Sequence, residues 1–349
     1  METVVRSLAE ALDYRETRIF CDEGADDHQA PDVETLPVGP ERRRVLIEKL
    51  RRFRPDVIEH HQQPKQAAAV ATALPEAAHL FYLHSTLKPP GNCFDAWRYN
   101  SRYSRADGLV FVSAAARALF ARAYPLLAGK AWAVPNPINA EPWFAQADAR
   151  EPVIAFAGRA MPEKGVDVIC ATLPAILDRH PGWRAVLMLN DWAEHRHWAA
   201  PHVAPLARYG DRVTILRSAS LAEVRRQMKS AAIALTPSLW AEPFGLAAVE
   251  AHAAGAALIS SGRGGLREAS GPHALYLDAI TEETLTTAIE HLIADPSKRL
   301  EMARSGQRYV MSTHTPAKRA AELLRIREFV VSQRQVDALP SPFRSEHPT

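Results

Sequence analysis

Two glutamates, Glu242 and Glu250, stand eight residues apart and could together bind a ligand rich in hydroxyl groups. Residues 246–254 are mostly Ala, Leu and Val, which favours a helix, and Gly255 follows where a helix stop belongs. A carboxylate on so apolar a helix needs a partner if it is buried, and sugar or ribose hydroxyls would supply one. In the alternative interpretation, Glu242 complements the helix dipole and Glu250 faces water.

The residues that lead into this helix are predicted to bind an anion. Pro243 suits a first helical turn, where no amide donor is needed, and Ser238 or Glu242 is available as the N-cap. An anion site at a helix N-terminus is formed by free backbone amides. Three such amides are expected here, those of Phe244, Gly245 and Leu246. Gly245 would also let a ligand approach the backbone closely.

Four segments, in this order along the chain, carry a resemblance to a known family. They are VPNPIN (134–139), FAGRAMPEKG (156–165), EPFGLAAVE (242–250) and SGRGGLRE (261–268). The ordered set resembles the signature of the retaining glycosyltransferases of family four. The resemblance implies the GT-B fold, in which two Rossmann-like domains face each other across a cleft. It also implies a nucleotide-diphospho-sugar as the donor substrate.

The second of these segments ends a predicted strand with Gly158 and Arg159 and continues to Lys164. Such a strand end lies at the carboxyl edge of a parallel sheet, where α/β proteins bind ligands. The resemblance implies that Arg159 and Lys164 grip the donor diphosphate. There they would stabilise the negative charge that develops on the leaving oxygen. The alternative is that both are ordinary surface cations.

Histidines at two strand ends are further candidates. His84 ends a predicted strand, and the resemblance implies that it faces the reacting sugar, near the hydroxymethyl group and the anomeric carbon. In the alternative interpretation it is a strand-end histidine bonded to backbone. His60 and His61 are similar candidates with less support.

The resemblance also assigns roles in the reaction. Glu242 would hold sugar hydroxyls and Glu250 the ribose, while the acceptor hydroxyl attacks from the leaving-group side and the diphosphate takes its proton. The base pocket is predicted around Asn190, within 189–192, and in the loop after Leu216. No carboxylate pair argues for hydrolysis. Neither site element contains a DxD motif, so neither a metal nor another cofactor is expected.

Length and composition limit the remaining possibilities. A chain of 349 residues predicts two domains, and a net charge of +2 implies no nucleic-acid partner. Cys21, Cys93 and Cys170 match no metal or redox spacing and are expected to be reduced thiols. There is no signal peptide and no run of about 18 apolar residues. The expected location is the cytoplasm, free or peripheral at the inner face of the membrane.

Alternating predicted strands and helices indicate an α/β protein with parallel sheets. An acceptor-side Rossmann-like domain is expected over residues 1–139. A nucleotide-sugar-binding Rossmann-like domain is expected over residues 150–315. The resemblance implies that the final helix, within 316–338, crosses back onto the first domain.

The N-terminus departs from the family pattern, which opens with a strand, a glycine-rich loop and a helix. Residues 3–12 already have the apolar pattern of that first helix. The first domain is therefore expected to lack its central first strand and glycine-rich loop, which leaves a gap of about 10 Å in the sheet. On this expectation, the natural product begins upstream of Met1, and the 349-residue form is poorly stable or inactive.

The segment Arg42–Arg54 holds seven basic residues with apolar residues between them. One interpretation is an amphipathic helix that rests on anionic lipid. The other is a helix that covers a sheet and turns its charged face to water.

The leading hypothesis is a metal-independent hexosyltransferase. It would move a hexose from a nucleotide-diphospho-sugar to a hydroxyl of a glycan or lipid-linked acceptor, in cell-surface polysaccharide or lipopolysaccharide synthesis. Two alternatives stay open, a nucleotide-sugar epimerase of the same fold and a non-catalytic relic suggested by the N-terminus.

Overall fold

The computed structural model describes residues 2–12, 17–23, 32–87, 89–148 and 150–337, which divide into two compact units. The first unit comprises Met1–Val112, Arg117–Val134 and Arg319–Thr349, and the second comprises Ser113–Ala116 and Pro135–Lys318. Both units combine helices with parallel sheets, which confirms the predicted α/β class.

The first unit alternates short strands with helices. Its strands are β1 (Ile19–Asp22), β2 (Val33–Leu36), β3 (Val57–His61), β4 (Ala78–Leu83), β5 (Gly108–Phe111) and β6 (Ala131–Ala133). Its helices are α1 (Glu2–Glu10), α2 (Arg42–Phe53), α3 (Pro64–Ala73), α4 (Cys93–Tyr103), α5 (Ala114–Ala123, in this unit from Arg117) and α13 (Pro316–Asp337, in this unit from Arg319).

The strands of this unit form two parallel sheets. One sheet has the order β3-β4-β5-β6, and β1 pairs with β2 in the other. Both β4 and β5 are buried along their whole length, as expected of strands covered on both faces. Helix α1 buries Val4 and Leu8, which are the core positions that its apolar pattern predicts.

Helix α2 is the basic segment of the sequence, and its apolar face is occupied by protein. Leu46 and Leu50 are buried in a cluster with residues of β2, β3 and α3. Charges on the other face are paired within the unit, as Lys49 Nζ donates to Glu34 Oε2 at 2.5 Å and Arg52 Nη2 to Glu48 Oε1 at 2.7 Å. These contacts favour the sheet-covering interpretation of α2, because its apolar residues are not free to enter lipid. Among the described residues, no helix is both long and apolar enough to cross a bilayer.

Two ion pairs attach helix α13 to the strands of the first unit. Arg327 donates two hydrogen bonds of 2.8 Å to the carboxylate of Glu59 on β3. Arg334 Nη1 contacts both carboxylate oxygens of Asp107, at 2.8 and 2.9 Å, just before β5. Asp107 Oδ2 also accepts the amide of His79 on β4 at 2.7 Å, so α13 is tied to three neighbouring strand segments.

The second unit contains one six-stranded parallel sheet. Its strands are β7 (Glu151–Arg159), β8 (Arg184–Asn190), β9 (Val213–Arg217), β10 (Ala231–Thr236), β11 (Ala257–Ser260) and β12 (Ala274–Tyr276). Its helices are α6 (Val166–Arg179), α7 (Trp192–Val203), α8 (Leu221–Ser230), α9 (Leu246–Ala253), α10 (Leu266–Ser270), α11 (Glu282–Ala294) and α12 (Pro296–Thr313). The sheet order is β12-β11-β10-β7-β8-β9, so the direction of strand addition reverses at β7. Ligands bind outside the carboxyl ends of the strands at such a reversal.

Candidate functional site

The loops that follow β7 and β10 meet at the strand-order reversal of the second unit. The amide of Leu239, after β10, donates to the carbonyl of Glu163, after β7, at 2.8 Å. Gly165 has φ +70°, and a Cβ there would lie 2.5 Å from the carbonyl oxygen of Pro237. The second glycine of the GR…EKG segment is therefore required by the close approach of these two loops.

A buried ion pair joins the same two loops. Lys164 Nζ donates to Glu242 Oε1 at 2.6 Å, and Ser238 Oγ donates to the same oxygen at 2.5 Å. The Glu242 side chain is 7% exposed and that of Lys164 is 18% exposed. Lys164 Nζ also lies 5.7 Å from the ring centroid of Trp240. The structure thus brings together two residues that the sequence placed in separate motifs, and it adds Ser238 and Trp240.

Helix α9 begins at Leu246, the first residue of the run that the sequence assigned to a helix, but its cap differs from the predicted one. Gly245 is the N-cap with φ +115° and no side-chain capping bond. Pro243 and Phe244 therefore precede the helix, and neither Ser238 nor Glu242 caps it. Packing favours glycine as the cap, because a Cβ on Gly245 would lie 2.5 Å from Leu266 Cδ2. Since no side chain makes a capping hydrogen bond, the first amides of α9 are left for an anion.

The glycine loop after β11 holds the Glu242 segment in place. Gly264 forms a parallel bridge with Glu242, and the Gly265 amide donates to the Glu242 carbonyl at 2.8 Å. A Cβ on Gly264 would collide with the Glu242 carbonyl oxygen, and one on Gly265 would lie 2.5 Å from Phe244 Cα. These glycines therefore let two backbones pack in direct contact beneath the ion pair.

Glu250 lies one turn into α9 and has no hydrogen-bond donor among the described residues. Its side chain is partly exposed on a helix whose other residues are apolar apart from His252. Burial raises the pKa of Glu250 to about 7, and the charge of Arg225 offsets only part of this effect. The carboxyl group is thus available to a ligand, and its charge changes near neutral pH.

The end of β7 presents Arg159 at the carboxyl edge of the sheet. Arg159 is exposed and pairs in register with Asn190 at the end of β8, and the Ala160 amide donates to the Asn190 carbonyl at 2.9 Å. Gly158 is partly buried, and a Cβ there would lie 2.8 Å from Phe156 Cζ. The predicted base-pocket segment thus adjoins Arg159.

Trp192 and Arg217 lie beyond that edge of the sheet. The Arg217 guanidinium lies 4.8 Å from the ring centroid of Trp192, the first residue of α7. Nearby, Asp191, Glu194 and His195 have potential ligand atoms within 4.8 Å of one another, and the two acidic residues are exposed. That grouping of surface side chains lies outside the GR…EKG and EPFG segments, and the expectation of no metal stays a prediction.

His84 lies in the first unit, just after β4, within a row of aromatic rings. Its imidazole stacks on Tyr82, with ring centroids 4.7 Å apart and planes at 10°. Its Nε2 lies 2.9 Å from His61 Nδ1, and its amide donates to Gln62 Oε1 at 2.7 Å. Burial, together with a smaller effect of the His61 ring, lowers the pKa of His84 to about 3. His84 is therefore a neutral imidazole at physiological pH.

A carboxylate determines which histidine donates in the hydrogen bond between His61 and His84. Glu59 Oε2 lies 3.7 Å from His61 Nε2, and Arg327 binds the same carboxylate. Burial by itself would raise the pKa of Glu59, but contacts with His61 and Arg327 outweigh it and lower the pKa to about 2. This permanent anion favours a proton on His61 Nε2, so His61 Nδ1 accepts from His84 Nε2. The remaining nitrogen of His84, Nδ1, is then a hydrogen-bond acceptor.

His60 belongs to a different group, because successive strand residues point to opposite faces of a sheet. Its Nε2 lies 3.0 Å from His79 Nδ1, and His79 Nε2 donates to the Leu74 carbonyl at 2.9 Å. Of the two histidine candidates on β3, only His61 contacts His84. Sequence reasoning missed Glu59 and Arg327, which are 268 positions apart and could be linked only through the fold.

Two family models match the chain. One, described as Glycosyltransferase Family 4, matches residues 1–142, and the other, Glycosyl transferases group 1, matches residues 151–295. Among curated proteins, the D-inositol 3-phosphate glycosyltransferase of Segniliparus rotundus is 29% identical over 163 residues, which are 46% of this chain and 36% of that protein. An uncharacterized glycosyltransferase of Methanocaldococcus jannaschii is 32% identical over 118 residues, which are 34% of this chain and 29% of that protein.

Solved structures with the same fold cover nearly the whole chain. A glycosyltransferase from Rickettsia africae superposes with a TM-score of 0.79 at 14% identity, over 93% of this chain and 94% of that one. Sucrose-phosphate synthase from Thermosynechococcus elongatus gives 0.75 at 21% identity, over 96% and 92%. Anabaena HepE in complex with UDP and glucose gives 0.69 at 17% identity, over 87% and 86%. At these identities the likeness establishes the fold.

Proposed function

Because this chain belongs to the family 4, group 1 glycosyltransferases, we propose that it transfers a hexose from a nucleotide-diphospho-sugar to an acceptor hydroxyl with retention of configuration. The observation that carries the proposal is the ion pair of Lys164 and Glu242 beside the uncapped N-terminus of α9, at the strand-order reversal of the second unit. The acceptor is a glycan or a lipid-linked glycan of cell-surface polysaccharide, and the reaction takes place in the cytoplasm.

The chemistry requires positive charge where the nucleoside diphosphate leaves. The bond between the anomeric carbon and the diphosphate oxygen breaks, and the electron pair stays on that oxygen. Arg159, Lys164 and the first amides of α9 offer three sources of positive potential that strengthen their interaction as this charge develops. The acceptor hydroxyl forms the new bond from the same face, and its proton passes to the departing diphosphate. This route uses no protein nucleophile and no metal ion.

Glu242 is assigned to the transferred sugar. It retains one carboxylate oxygen, Oε2, beyond the bonds that Lys164 and Ser238 make to Oε1, and this oxygen accepts from sugar hydroxyls. In the first unit, His84 Nδ1 is assigned as an acceptor for a substrate hydroxyl, because Glu59 and His61 direct the proton of His84 to Nε2. An acceptor fixed in this way discriminates between a hydroxyl donor and a group without one.

A panel of nucleoside diphosphates and their sugars tests the proposed function. We expect one nucleoside diphosphate to raise the melting temperature, since a ligand at about 100 times its Kd stabilises the native state by about 2.7 kcal/mol. The matching nucleotide sugar should be consumed with stoichiometric release of that diphosphate and a product of unchanged anomeric configuration by NMR. Conversion of the sugar without net diphosphate release would indicate an epimerase. Absence of binding across the panel would indicate a non-catalytic relic.

The pKa of Glu250 predicts a pH dependence of nucleotide binding. If the ionised carboxylate accepts ribose hydroxyls, affinity is full above pH 7 and declines as the group becomes protonated below it. For a pKa of about 7, the Kd at pH 6 should be about tenfold weaker than at pH 8. Calorimetry measures this dependence for the parent and for Glu250→Gln. The nucleotide phosphates titrate in the same way with both proteins, so the difference between the two pH profiles reports Glu250. Identical pH profiles for the two proteins would show that Glu250 does not bind the ribose.

A further inference from the structure

A separate cavity lies wholly within the first unit and contains none of the residues assigned above. Its volume is about 780 Å³, within the usual range for small-molecule sites. It opens between the start of α2 and the start of α3, with α4 along one side. Three tyrosines contribute to its wall, Tyr99, Tyr103 and Tyr124.

The charged side chains that line this cavity all carry the same sign. Four are basic, Arg42, Arg43, Lys65 and Arg102, and none of the described lining residues is acidic. Arg43 and Lys65 are exposed, and no carboxylate among the described residues pairs with either of them. Arg42 contacts Asp22 through Nε, yet its Nη1 is buried without a hydrogen-bond partner in that part of the chain. An anionic ligand in the cavity would supply an acceptor for this buried guanidinium nitrogen.

The N-terminus of helix α3 adds to this positive potential. Residues of the first turns of α2 and α3 both line the cavity, and neither helix has a side-chain capping bond or an acidic residue in its first turn. The N-cap residue of α2 is Glu41, whose carboxylate offsets the partial positive charge there, whereas that of α3 is the uncharged Gln63. The partial positive charge at the N-terminus of α3, a helix of 10 residues, therefore has no acidic cap.

We propose that this cavity binds a phosphoryl group carried by the sugar acceptor. The inference rests on the proposed function, because it names the chemical class of that enzyme's second substrate. A phosphate monoester carries nearly two negative charges and three acceptor oxygens, which suits four cations and the N-terminus of α3 better than a single carboxylate does. The cavity has room for more than a phosphate, and Tyr99, the partly exposed tyrosine of its wall, offers its hydroxyl to an attached sugar.

Binding of phosphorylated probes tests the proposal without any need for activity. Calorimetry compares glucose 6-phosphate and inorganic phosphate with unphosphorylated glucose, at low salt because exposed charges are screened. We expect the phosphorylated probes to bind the parent. We expect Arg43→Glu/Lys65→Glu to weaken their binding about tenfold or more, because two attractive charges become repulsive, and tenfold corresponds to about 1.4 kcal/mol. The matched control is Arg117→Glu/Arg122→Glu, which makes the same charge change at exposed positions of α5.

Two further arms separate this site from the donor site and identify the source of the phosphate. Glucose 6-phosphate should still bind to Lys164→Ala, because Lys164 belongs to the donor site and not to this cavity. The binding test therefore stands even if the transferase assay of the parent fails. Sedimentation with phosphatidylcholine vesicles, with and without phosphatidic acid, tests a lipid-borne phosphate. Loss of probe binding in the Arg43/Lys65 variant, but not in its control, supports a site for a soluble phosphorylated acceptor. Loss of vesicle binding in that variant, but not in its control, supports a site for a lipid-linked acceptor. Equal binding by that variant and its control, or no binding of either probe by the parent, overturns it.

Discussion

Lys164→Ala is expected to lower sugar transfer by about 100- to 1000-fold, the usual effect of removing one group that stabilises the charge of a leaving oxygen. Lys164 is suited to this role because its ammonium lies 2.6 Å from the carboxylate of Glu242, which is 7% exposed and stands three residues before the N-cap of α9. Steady-state release of the nucleoside diphosphate measures the change. The loss should appear in kcat, because the charge develops only as the bond breaks.

Lys164→Ala is also expected to lower the free energy of unfolding. Removing one partner of a buried ion pair leaves the other uncompensated, at a cost of about 3–5 kcal/mol. Glu242→Gln is the informative companion, since an amide oxygen still accepts from Lys164 and Ser238, and the charge left without a counter-ion is the Lys164 ammonium, which is more exposed than Glu242. Urea unfolding of both variants separates loss of fold from loss of chemistry. A folded Lys164→Ala protein with turnover near that of the parent would rule out the assigned role.

Gly264→Ala is expected to be the most disruptive single-methyl change in the second unit. Gly264 has φ +63°, and a Cβ would collide with the Glu242 carbonyl oxygen and lie 2.7 Å from the Glu242 nitrogen. Positive φ costs a non-glycine residue about 1–2 kcal/mol, and overpacking adds about 1–3 kcal/mol. We therefore expect a loss of about 2–5 kcal/mol in the free energy of unfolding, with weaker donor binding because the Glu242 segment must move.

Gly210 provides a matched control for this prediction. It also has a positive φ, +53°, but no atom lies within 4 Å of the position its Cβ would take. Gly210, with ψ −129°, lies outside the left-handed helical region, so Gly210→Ala carries a backbone penalty of about 1–3 kcal/mol without a contact penalty and should leave donor binding unchanged. Denaturant titration and calorimetry of the two variants measure both effects. Equal destabilisation by the two would show that the contact between the backbones of Gly264 and Glu242 contributes nothing.

The sequence predicted the parallel α/β class and the placement of the motifs of the second unit at strand ends. This was possible because apolar runs such as Ala231–Thr236 are long and the motifs follow them directly. The cap of α9 was predicted wrongly, because the choice of Gly245 depends on Leu266, twenty-one residues further along the chain. Strand β2, Val33–Leu36, was not predicted, since four residues with one buried position carry too little periodicity.

Side-chain partners were harder to predict than elements. Alternation along β3 shows that His60 and His61 face opposite sides, but only the register with β4, which pairs His61 with Tyr82, brings His61 to His84. Ser238 was considered only as a helix cap, whereas its hydroxyl binds the carboxylate of Glu242. Local sequence rules describe caps and periodicity well, and they carry no information about contacts between loops of different strands.

The attachment of α13 has a consequence for how the protein is made. Arg327 and Glu59 are 268 positions apart, and the whole second unit is encoded between the strands of the first unit and the helix that completes it. At about 5–20 residues per second, a ribosome needs roughly ten to forty seconds to make that intervening stretch. Throughout this interval the first unit lacks the side chains that neutralise Glu59 and Asp107. The unit whose strands are synthesised first is therefore completed last, when α13 supplies Arg327 and Arg334.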